Sequence, residues 1–190
     1  MVVRLDLLAH GATAAIRGAR FPDDEALDAQ ASVALGTHRR TRTYDVVLCA
    51  PAPAAVDTAR ALGLEAEVEP ALRDCDYGHW RGLGLKHVAG REPDAFAAWL
   101  ADPAAAPHGG ESLAALVERT SAWLSACLAR KGAVLAITHA AVVRAAVVAA
   151  LAAPASAFWR IDVAPFSLAR LSGHAGRWNL VALGSWDALP

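Results

Sequence analysis

Lysine and cysteine are scarce in this chain, and neither residue type forms a cluster. Lysine occurs only at Lys86 and Lys131, and the other cations are arginines interspersed with Asp and Glu, which leaves a formal net charge of −1. Without a basic stripe, we expect no nucleic-acid partner. The three cysteines are scattered and form no CxxC pair. This pattern is typical of small buried side chains in a reducing compartment, and we expect a cytoplasmic protein.

Long uninterrupted apolar runs are also missing. The most apolar stretch, residues 132–153, is broken by a threonine, a histidine and an arginine, and the first apolar run contains Arg4 and Asp6. These interruptions predict neither a membrane span nor a signal peptide. Aromatic residues make up 6% of the chain and its tryptophans are spread out, which favours core positions over a stacking platform.

The length of 190 residues is that of one ordinary domain, and we interpret residues 1–190 as such. Valine- and leucine-rich runs at residues 1–9, 44–49 and 133–138 predict strands buried on both faces of a sheet. Helices are predicted at residues 28–39, 54–62, 93–100, 113–128 and 140–152, and further strands at 167–171 and 178–183. This alternation predicts an α/β protein, specifically a three-layer α/β/α sandwich around a mostly parallel central sheet.

Two histidines directly follow predicted strands. His10 comes after the first strand and His139 after the third, and each is followed by small residues. Ligands of open α/β sheets bind beyond the carboxyl ends of the strands, so we expect the two imidazoles to meet there. An imidazole can act as a nucleophile, as an acid or base, or as a metal ligand, and the spacing alone leaves all three open.

Several segments resemble, in order, the motifs of a known family. They are residues 8–13 (LAHGAT), 72–82 (LRDCDYGHWRG), 110–112 (GES), 136–145 (AITHAAVVRA) and 178–180 (WNL). Together they resemble the phosphoglycerate mutase-like branch of the histidine phosphatase superfamily. The resemblance covers nearly the whole chain and implies the phosphoglycerate mutase-like fold.

The resemblance also implies roles for single residues. His10 would be the nucleophile that forms a phosphohistidine, His139 its electrostatic partner, and Asp74 the acid, in place of the more usual Glu. Asp76 stays open as an alternative acid, because residues two apart on an extended segment share a side. Further residues are expected to contact or support the substrate: Gly11, Thr13, Arg17, Glu111 and Ala140.

The chain departs from the family at two phosphate-binding positions. Ala9 and Ala54 stand where the family has arginines. A charge-assisted contact contributes roughly 1.5–3 kcal/mol, so the loss of two predicts impaired phosphate recognition. Arg17, Arg20 and Arg60 are candidate substitutes, although a solvated surface position is the commoner role for such residues.

Three functional hypotheses follow. The first is a phosphomonoesterase or phosphotransferase acting on a small phosphorylated metabolite. The second is a catalytically degenerate member with a binding or interaction role, and the third is acid and base chemistry by the two histidines on a substrate without phosphate. We expect no cofactor, and we rank a metal site formed by His10, His139 and Asp74 lower. The sequence leaves open whether the protein forms a homodimer.

Overall fold

A computed structural model describes residues 2–37 and 42–187. Within these ranges six strands form one mixed sheet in the order β3-β2-β4-β1-β5-β6. The strands are β1 (Val3–Ala9), β2 (Val46–Cys49), β3 (Glu67–Val68), β4 (Gly132–Thr138), β5 (Ser167–His174) and β6 (Arg177–Ser185). β1 to β4 run parallel to their neighbours, whereas β5 pairs antiparallel with β1 and β6.

Seven helices accompany the sheet in the described ranges. They are α1 (Ala14–Arg17), α2 (Ala29–Gly36), α3 (Pro53–Ala61), α4 (Leu85–Arg91), α5 (Pro93–Ala101), α6 (Leu113–Cys127) and α7 (Ala140–Ala150), with 3-10 turns at Pro70–Leu72, Gly78–Trp80 and Ala155–Arg160. α7 packs on β1, β5 and β6 with α6 beside it, while α3 packs on β2 and β4. Ser112 caps α6 by accepting a hydrogen bond from the backbone N–H of Ala115 at 3.1 Å, as the sequence predicts.

The predicted fold class is confirmed. All five longer strands and the five predicted helices are present, although the predicted end of the second helix at Arg39 lies outside the described residues. The sequence missed α1, α4 and β3, because elements of two to seven residues show too little periodicity. No helix in the described ranges is long and apolar enough to cross a membrane.

β1 is the central element of the core. Its residues from Leu5 to Ala9 are at most 1% exposed, which shows that both faces of the sheet are covered. One of them, Asp6, is a fully buried carboxylate. The Tyr44 hydroxyl donates to it at 2.8 Å and the Arg170 guanidinium at 2.9 Å, so the charge is compensated within the core.

Candidate active site

The two predicted histidines meet at one edge of the sheet. β1 and β4 are parallel neighbours, so His10 and His139 leave the sheet side by side, and the His10 backbone N–H donates to the carbonyl of Thr138 at 2.8 Å. The imidazole centroids lie 5.0 Å apart with the rings nearly perpendicular, at 83°. Both rings line a cavity of about 470 Å³. The predicted meeting of the two imidazoles is thus present.

His10 has a defined protonation pattern. Its Nδ1 lies 2.7 Å from the carbonyl oxygen of Gly11, and because a carbonyl only accepts, Nδ1 carries the proton. Burial, together with the neighbouring His139, lowers the pKa of His10 to about 4. The ring is therefore neutral at pH 7, with its lone pair on Nε2. A neutral imidazole with a free Nε2 is the form required of a nucleophile.

Asp74 is brought to the histidines by the segment after the Pro70–Leu72 turn. The Thr138 hydroxyl donates to the carbonyl of Leu72 at 2.7 Å and ties this segment to β4. The Asp74 Oδ2 atom lies 3.3 Å from Nδ1 of His139, and its Oδ1 accepts from the Cys75 backbone N–H at 2.8 Å. Burial raises the pKa of Asp74 to about 6, so this carboxyl can hold a proton near neutral pH.

His139 is a buried side chain without hydrogen bonds. It is 5% exposed, and neither ring nitrogen has a hydrogen-bond partner in the part of the chain that the structure describes. The 3.3 Å approach of Asp74 is within ion-pair distance but lacks hydrogen-bond geometry. Burial lowers the pKa of His139 to about 4, so this ring is also neutral. A buried polar group without a partner is costly, which is typical of a ring that binds a ligand.

Asp76 also lines the cavity, as expected for a residue two positions from Asp74. It is exposed, and its Oδ1 accepts from the Gly78 backbone N–H at 2.9 Å. Asp74 is the less exposed of the two and the one in contact with an imidazole. The geometry therefore favours Asp74 over Asp76 as the acid.

Arg119 on α6 holds the Asp74 segment in place. Its guanidinium donates to the carbonyls of Ala71, Arg73 and Asp74 at 2.7–3.3 Å. The same guanidinium binds both carboxylate oxygens of Glu111, at 2.9 and 2.8 Å. Glu111 does not line the cavity, so it supports the site from behind and does not touch the imidazoles.

Two helices begin at the cavity. α7 starts directly after His139, and Ala140 and Ala141 line the cavity; α3 starts after Ala52, and Ala54 lines it. Neither helix has a side-chain cap or an acidic residue in its first turn. The first N–H groups of a helix lack intrahelical partners and carry partial positive charge, so both ends favour an anion here.

Most arginines around the cavity are already paired with carboxylates. Arg73 lies 3.5 Å from Glu111, Arg20 lies 4.0 Å from Glu25, and Arg81 binds Asp23 and Asp24 at 3.1 and 2.7 Å. Arg144 on α7 also lines the cavity and contacts no carboxylate of residues 2–37 and 42–187. Among the described arginines of the cavity, it is the one without a carboxylate partner.

The other predicted site residues divide into two groups. Thr13 and Ala140 line the cavity, and Gly11 supports it by accepting from His10 and donating its N–H to the Thr58 hydroxyl at 3.0 Å. Arg17 does not line the cavity; it is exposed and pairs with Asp28. Arg60 is likewise exposed and pairs with Asp57 at 2.7 Å.

Ala9 and Ala54, the two positions where the resemblance implies arginines, have different surroundings. Ala9 is 1% exposed and packs within the hydrophobic core, whereas Ala54 lines the cavity. Side chains that the sequence did not assign to the cavity include Pro22, Asp24, Glu25, Arg73, Tyr77 and Arg81. Tyr77 and the arginines lie in the recognised 72–82 segment, which could have indicated them; the loop residues 22–25 carry no such signal.

Among the described residues, no group of three or more His, Cys, Asp or Glu side chains is arranged to hold a metal ion. His10, His139 and Asp74 therefore do not form the facial metal set that the sequence left open.

Comparison with known proteins gives consistent matches. Residues 7–185 match the histidine phosphatase superfamily, branch 1. A bifunctional protein of Mycobacterium tuberculosis is 31% identical over 180 residues, covering 87% of this chain and 50% of that protein. A glucosyl-3-phosphoglycerate phosphatase of Mycolicibacterium vanbaalenii is 31% identical over 128 residues, covering 63% of this chain and 57% of that protein. The chain thus spans about half the length of these curated relatives.

A solved structure aligns over nearly the full length. It is a mycobacterial glucosyl-3-phosphoglycerate phosphatase in complex with VO3, which is 28% identical, covers 96% of this chain and 98% of its own, and superposes with a TM-score of 0.84. That protein binds vanadate. The alignment agrees with the α/β fold described above.

Proposed function

The chain belongs to the histidine phosphatase superfamily, and from this membership we propose that it is a phosphomonoesterase that acts on a small phosphorylated metabolite through a phosphohistidine at His10. One observation carries the proposal. A neutral His10, a His139 ring without a hydrogen-bond partner among the described residues, and a carboxyl with a raised pKa, Asp74, line one cavity. These are the nucleophile, the anion-stabilising ring and the acid of one displacement.

The proposed reaction has two steps. In the first, Nε2 of His10 attacks phosphorus, the bond from phosphorus to the ester oxygen breaks, and protonated Asp74 donates its proton to the leaving oxygen. In the second, water attacks the phosphohistidine, Asp74 accepts a proton from that water, and the N–P bond breaks to release inorganic phosphate. His10 and Asp74 are then restored, so the cycle needs no further reactant.

The phosphoryl charge needs donors in place of the two missing arginines. The cavity offers the N-termini of α3 and α7 and the single N–H of the neutral His139 ring, which has no hydrogen-bond partner among the described residues. A helix N-terminus contributes about 0.3–1 kcal/mol, and up to about 2 when partly buried. This is less than the roughly 1.5–3 kcal/mol of each lost guanidinium contact, so we expect weak phosphate binding and a high KM.

The test of the proposal is turnover of phosphate esters. Purified protein is incubated with p-nitrophenyl phosphate and with a panel of sugar, nucleoside and amino-acid phosphates, and released phosphate is measured. We expect turnover of at least one ester that is absent in His10→Ala. A wild type no faster than His10→Ala on every ester would contradict the proposed function and favour the degenerate binding role.

The rate should depend on pH in a bell-shaped manner. His10 must be neutral, and with its pKa at about 4 the rate should rise as the pH rises through 4. Asp74 must be protonated, and with its pKa at about 6 the rate should fall as the pH rises through 6. We expect kcat/KM to peak between these values and to fall about tenfold per pH unit beyond them.

The substrate's phosphate also ionises in this range, with a pKa of about 6. A fall in rate above pH 6 can therefore arise either from the substrate or from Asp74. Asp74→Asn removes the protein group and leaves the substrate unchanged. If the falling side persists unchanged in the residual activity of Asp74→Asn, it does not arise from Asp74.

A further inference from the structure

We propose that the cavity accepts phosphoryl groups that carry a single negative charge, so that phosphodiesters are substrates alongside the monoanions of phosphomonoesters. The proposal deepens the proposed function and rests on it, since it takes the scissile phosphoryl group to lie at His10. It adds one reaction, the hydrolysis of a phosphodiester to an alcohol and a phosphomonoester.

The charged side chains of the cavity supply little excess positive charge. Four arginines and four carboxylates line it among the described residues, so their charges cancel when Asp74 is ionised and leave one positive charge when Asp74 is protonated. Arg20, Arg73 and Arg81 are each paired with a carboxylate. One positive charge balances a monoanion, whereas the second charge of a dianion stays uncompensated, which is costly in a buried site.

The fourth arginine, Arg144, is held at the wall of the cavity. Its guanidinium carbon lies 5.5 Å from the centre of the Phe158 ring. Phe158 is buried and is not among the described residues that line the cavity. Because a guanidinium is attracted to the face of an aromatic ring, this contact gives Arg144 a partner outside the phosphoryl site. Its substitution is therefore a direct control for the proposal.

Negative side chains lie close enough to act on the His10 ring. Burial and the neighbouring His139 lower the pKa of His10 to about 4, and the charges of Asp74 and Glu25 oppose that shift. A phosphoryl group at His10 meets the same two carboxylates. Like charges repel strongly where water is excluded, so the second negative charge of a dianion is unfavourable at this position.

His139 has a similar environment. Burial lowers its pKa to about 4, Asp24 opposes that shift, and Arg119 adds to it. The Arg119 guanidinium already binds both carboxylate oxygens of Glu111, so its charge is compensated. The neutral His139 ring offers one N–H donor. That donor serves one phosphoryl oxygen and does not balance the two charges of a dianion.

The wall beside the nucleophile is apolar. β2 ends next to β4, and Pro51 and Ala54, which follow β2, line the cavity. The Thr58 hydroxyl accepts from the Gly11 N–H at 3.0 Å and donates to the carbonyl of Ala54 at 2.7 Å, so the first turn of α3 lies next to the residue that follows His10. An esterified oxygen with its alkyl group suits such a wall better than a charged oxygen does.

The start of α3 also offers few backbone donors. Its first residue, Pro53, has no N–H, and the N–H groups of Ala55 and Val56 both donate to the carbonyl of Ala52, at 3.0 and 3.2 Å. An ordinary helix start has four N–H groups without intrahelical partners. The end of α3 at the cavity therefore stabilises less negative charge than such a helix start does.

The acid favours a singly charged substrate as well. Burial raises the pKa of Asp74 to about 6, and the second pKa of a phosphomonoester is also about 6. A bound monoester dianion and Asp74 therefore compete for one proton. A phosphodiester has no second ionisation, so Asp74 keeps its proton for the leaving oxygen.

The phosphodiester reaction uses the same groups. Nε2 of His10 attacks phosphorus, the bond to one ester oxygen breaks, and protonated Asp74 gives its proton to that oxygen as the alcohol leaves. Water then attacks the esterified phosphohistidine, Asp74 accepts a proton from the water, and the N–P bond breaks to release a phosphomonoester. Both side chains are then restored.

The experiment compares two ligands that share a leaving group and differ by one charge, p-nitrophenyl phosphate and methyl p-nitrophenyl phosphate. Their binding to the full chain carrying His10→Ala is measured by calorimetry at pH 7, where the monoester is mainly a dianion. We expect the diester to bind about tenfold more tightly or better, and the ratio to narrow at pH 5. Wild type should release p-nitrophenol from the diester, and His10→Ala should not.

Substitutions in the cavity test the role of charge. Ala54→Arg, added to His10→Ala, should reverse the binding ratio, because a guanidinium beside the phosphoryl group compensates the second charge. Ala54→Met fills similar space without a charge and should leave the diester the tighter ligand. Arg144→Gln should leave the ratio unchanged, because Arg144 is held against Phe158.

A monoester that binds to His10→Ala at pH 7 as tightly as the diester, or binding of neither ligand, would overturn the proposal. A ratio reversed by Ala54→Met would overturn it because space would then decide, and a selective loss of monoester binding in Arg144→Gln would show a cation at the phosphoryl group. Turnover of the monoester without turnover of the diester would contradict the added reaction.

Thermal melting verifies that each variant is folded, and the two ligands compared on His10→Ala alone decide the proposal if Ala54→Arg does not fold. The binding ratio is independent of turnover. If wild type hydrolyses neither ester but the diester binds more tightly, the phosphatase proposal fails and the preference for a single charge stands.

Discussion

Asp74→Asn should lower kcat/KM for alkyl phosphates by roughly 10²- to 10⁴-fold, the usual contribution of a positioned general acid. The reason is that an amide cannot donate the proton that the leaving oxygen needs. The loss should be smaller for p-nitrophenyl phosphate, whose leaving group is a weak base and needs less protonation. Steady-state kinetics on the two ester types measure both effects.

The same substitution should stabilise the protein. Because the pKa of Asp74 is raised to about 6 in the folded chain, the carboxylate destabilises folding at every pH above that value. Each pKa unit corresponds to about 1.4 kcal/mol, so we expect Asp74→Asn to raise the free energy of unfolding at pH 7 by about 1–3 kcal/mol. The gain should fade below pH 6 and vanish below about pH 4, where Asp74 is protonated in both states.

Asp76→Asn is the matched control. Asp76 lines the same cavity, but it is exposed, and its contact with the Gly78 N–H is one that Asn can also make. We expect Asp76→Asn to change turnover by less than about twofold, as is usual for exposed positions. If Asp76→Asn is the more damaging substitution, the acid is Asp76 and the assignment to Asp74 is wrong.

Ala54→Arg should lower the KM for phosphate esters and the inhibition constant of inorganic phosphate by about tenfold to a hundredfold. Ala54 lines the cavity in the first turn of α3, so a long side chain can extend from it toward the two imidazoles. A new charge-assisted contact contributes roughly 1.5–3 kcal/mol. A cation near a helix N-terminus opposes the helix dipole and costs about 0.3–1 kcal/mol, which leaves a net gain.

Ala54→Met provides the matched control, because it fills similar space without charge. A gain confined to Ala54→Arg shows that a missing cation limits phosphate binding. If Ala54→Arg and Ala54→Met bind phosphate as weakly as wild type, the helix ends and His139 already satisfy the phosphoryl charge, and the absence of an arginine at position 54 is not what limits recognition. The corresponding change at Ala9 is less informative, because Ala9 packs in the core.

The sequence was sufficient to place the two histidines. Both directly follow strands whose sequences predict burial on both faces. Because the carboxyl ends of neighbouring parallel strands lie at the same edge of the sheet, the topology alone brings His10 and His139 together. The choice between Asp74 and Asp76 could not be made in this way. It depends on the hydrogen bond from the Thr138 hydroxyl to the Leu72 carbonyl, which positions the segment that carries Asp74. These two residues are 66 positions apart in the sequence.

Glu111 and Arg144 show the other limit of sequence reasoning. The expectation that Glu111 contacts or supports the substrate did not include Arg119, which lies eight residues later on α6 and binds both oxygens of that carboxylate. Arg144 could be recognised as a counterpart of a family residue, but its lack of a partner could not. That property depends on where the loop carboxylates fall in space, and they pair with Arg20, Arg73 and Arg81 instead.

The most direct measurement is detection of the phosphohistidine. Wild type is mixed with the best ester from the panel, quenched within one turnover and digested, and the peptide that contains His10 is examined by mass spectrometry under conditions that preserve N–P bonds. We expect one phosphoryl group on His10, lost on further incubation, and none in His10→Ala. Turnover without any phosphorylated histidine, or a phosphoryl group on another residue, would contradict the proposal that His10 is the nucleophile.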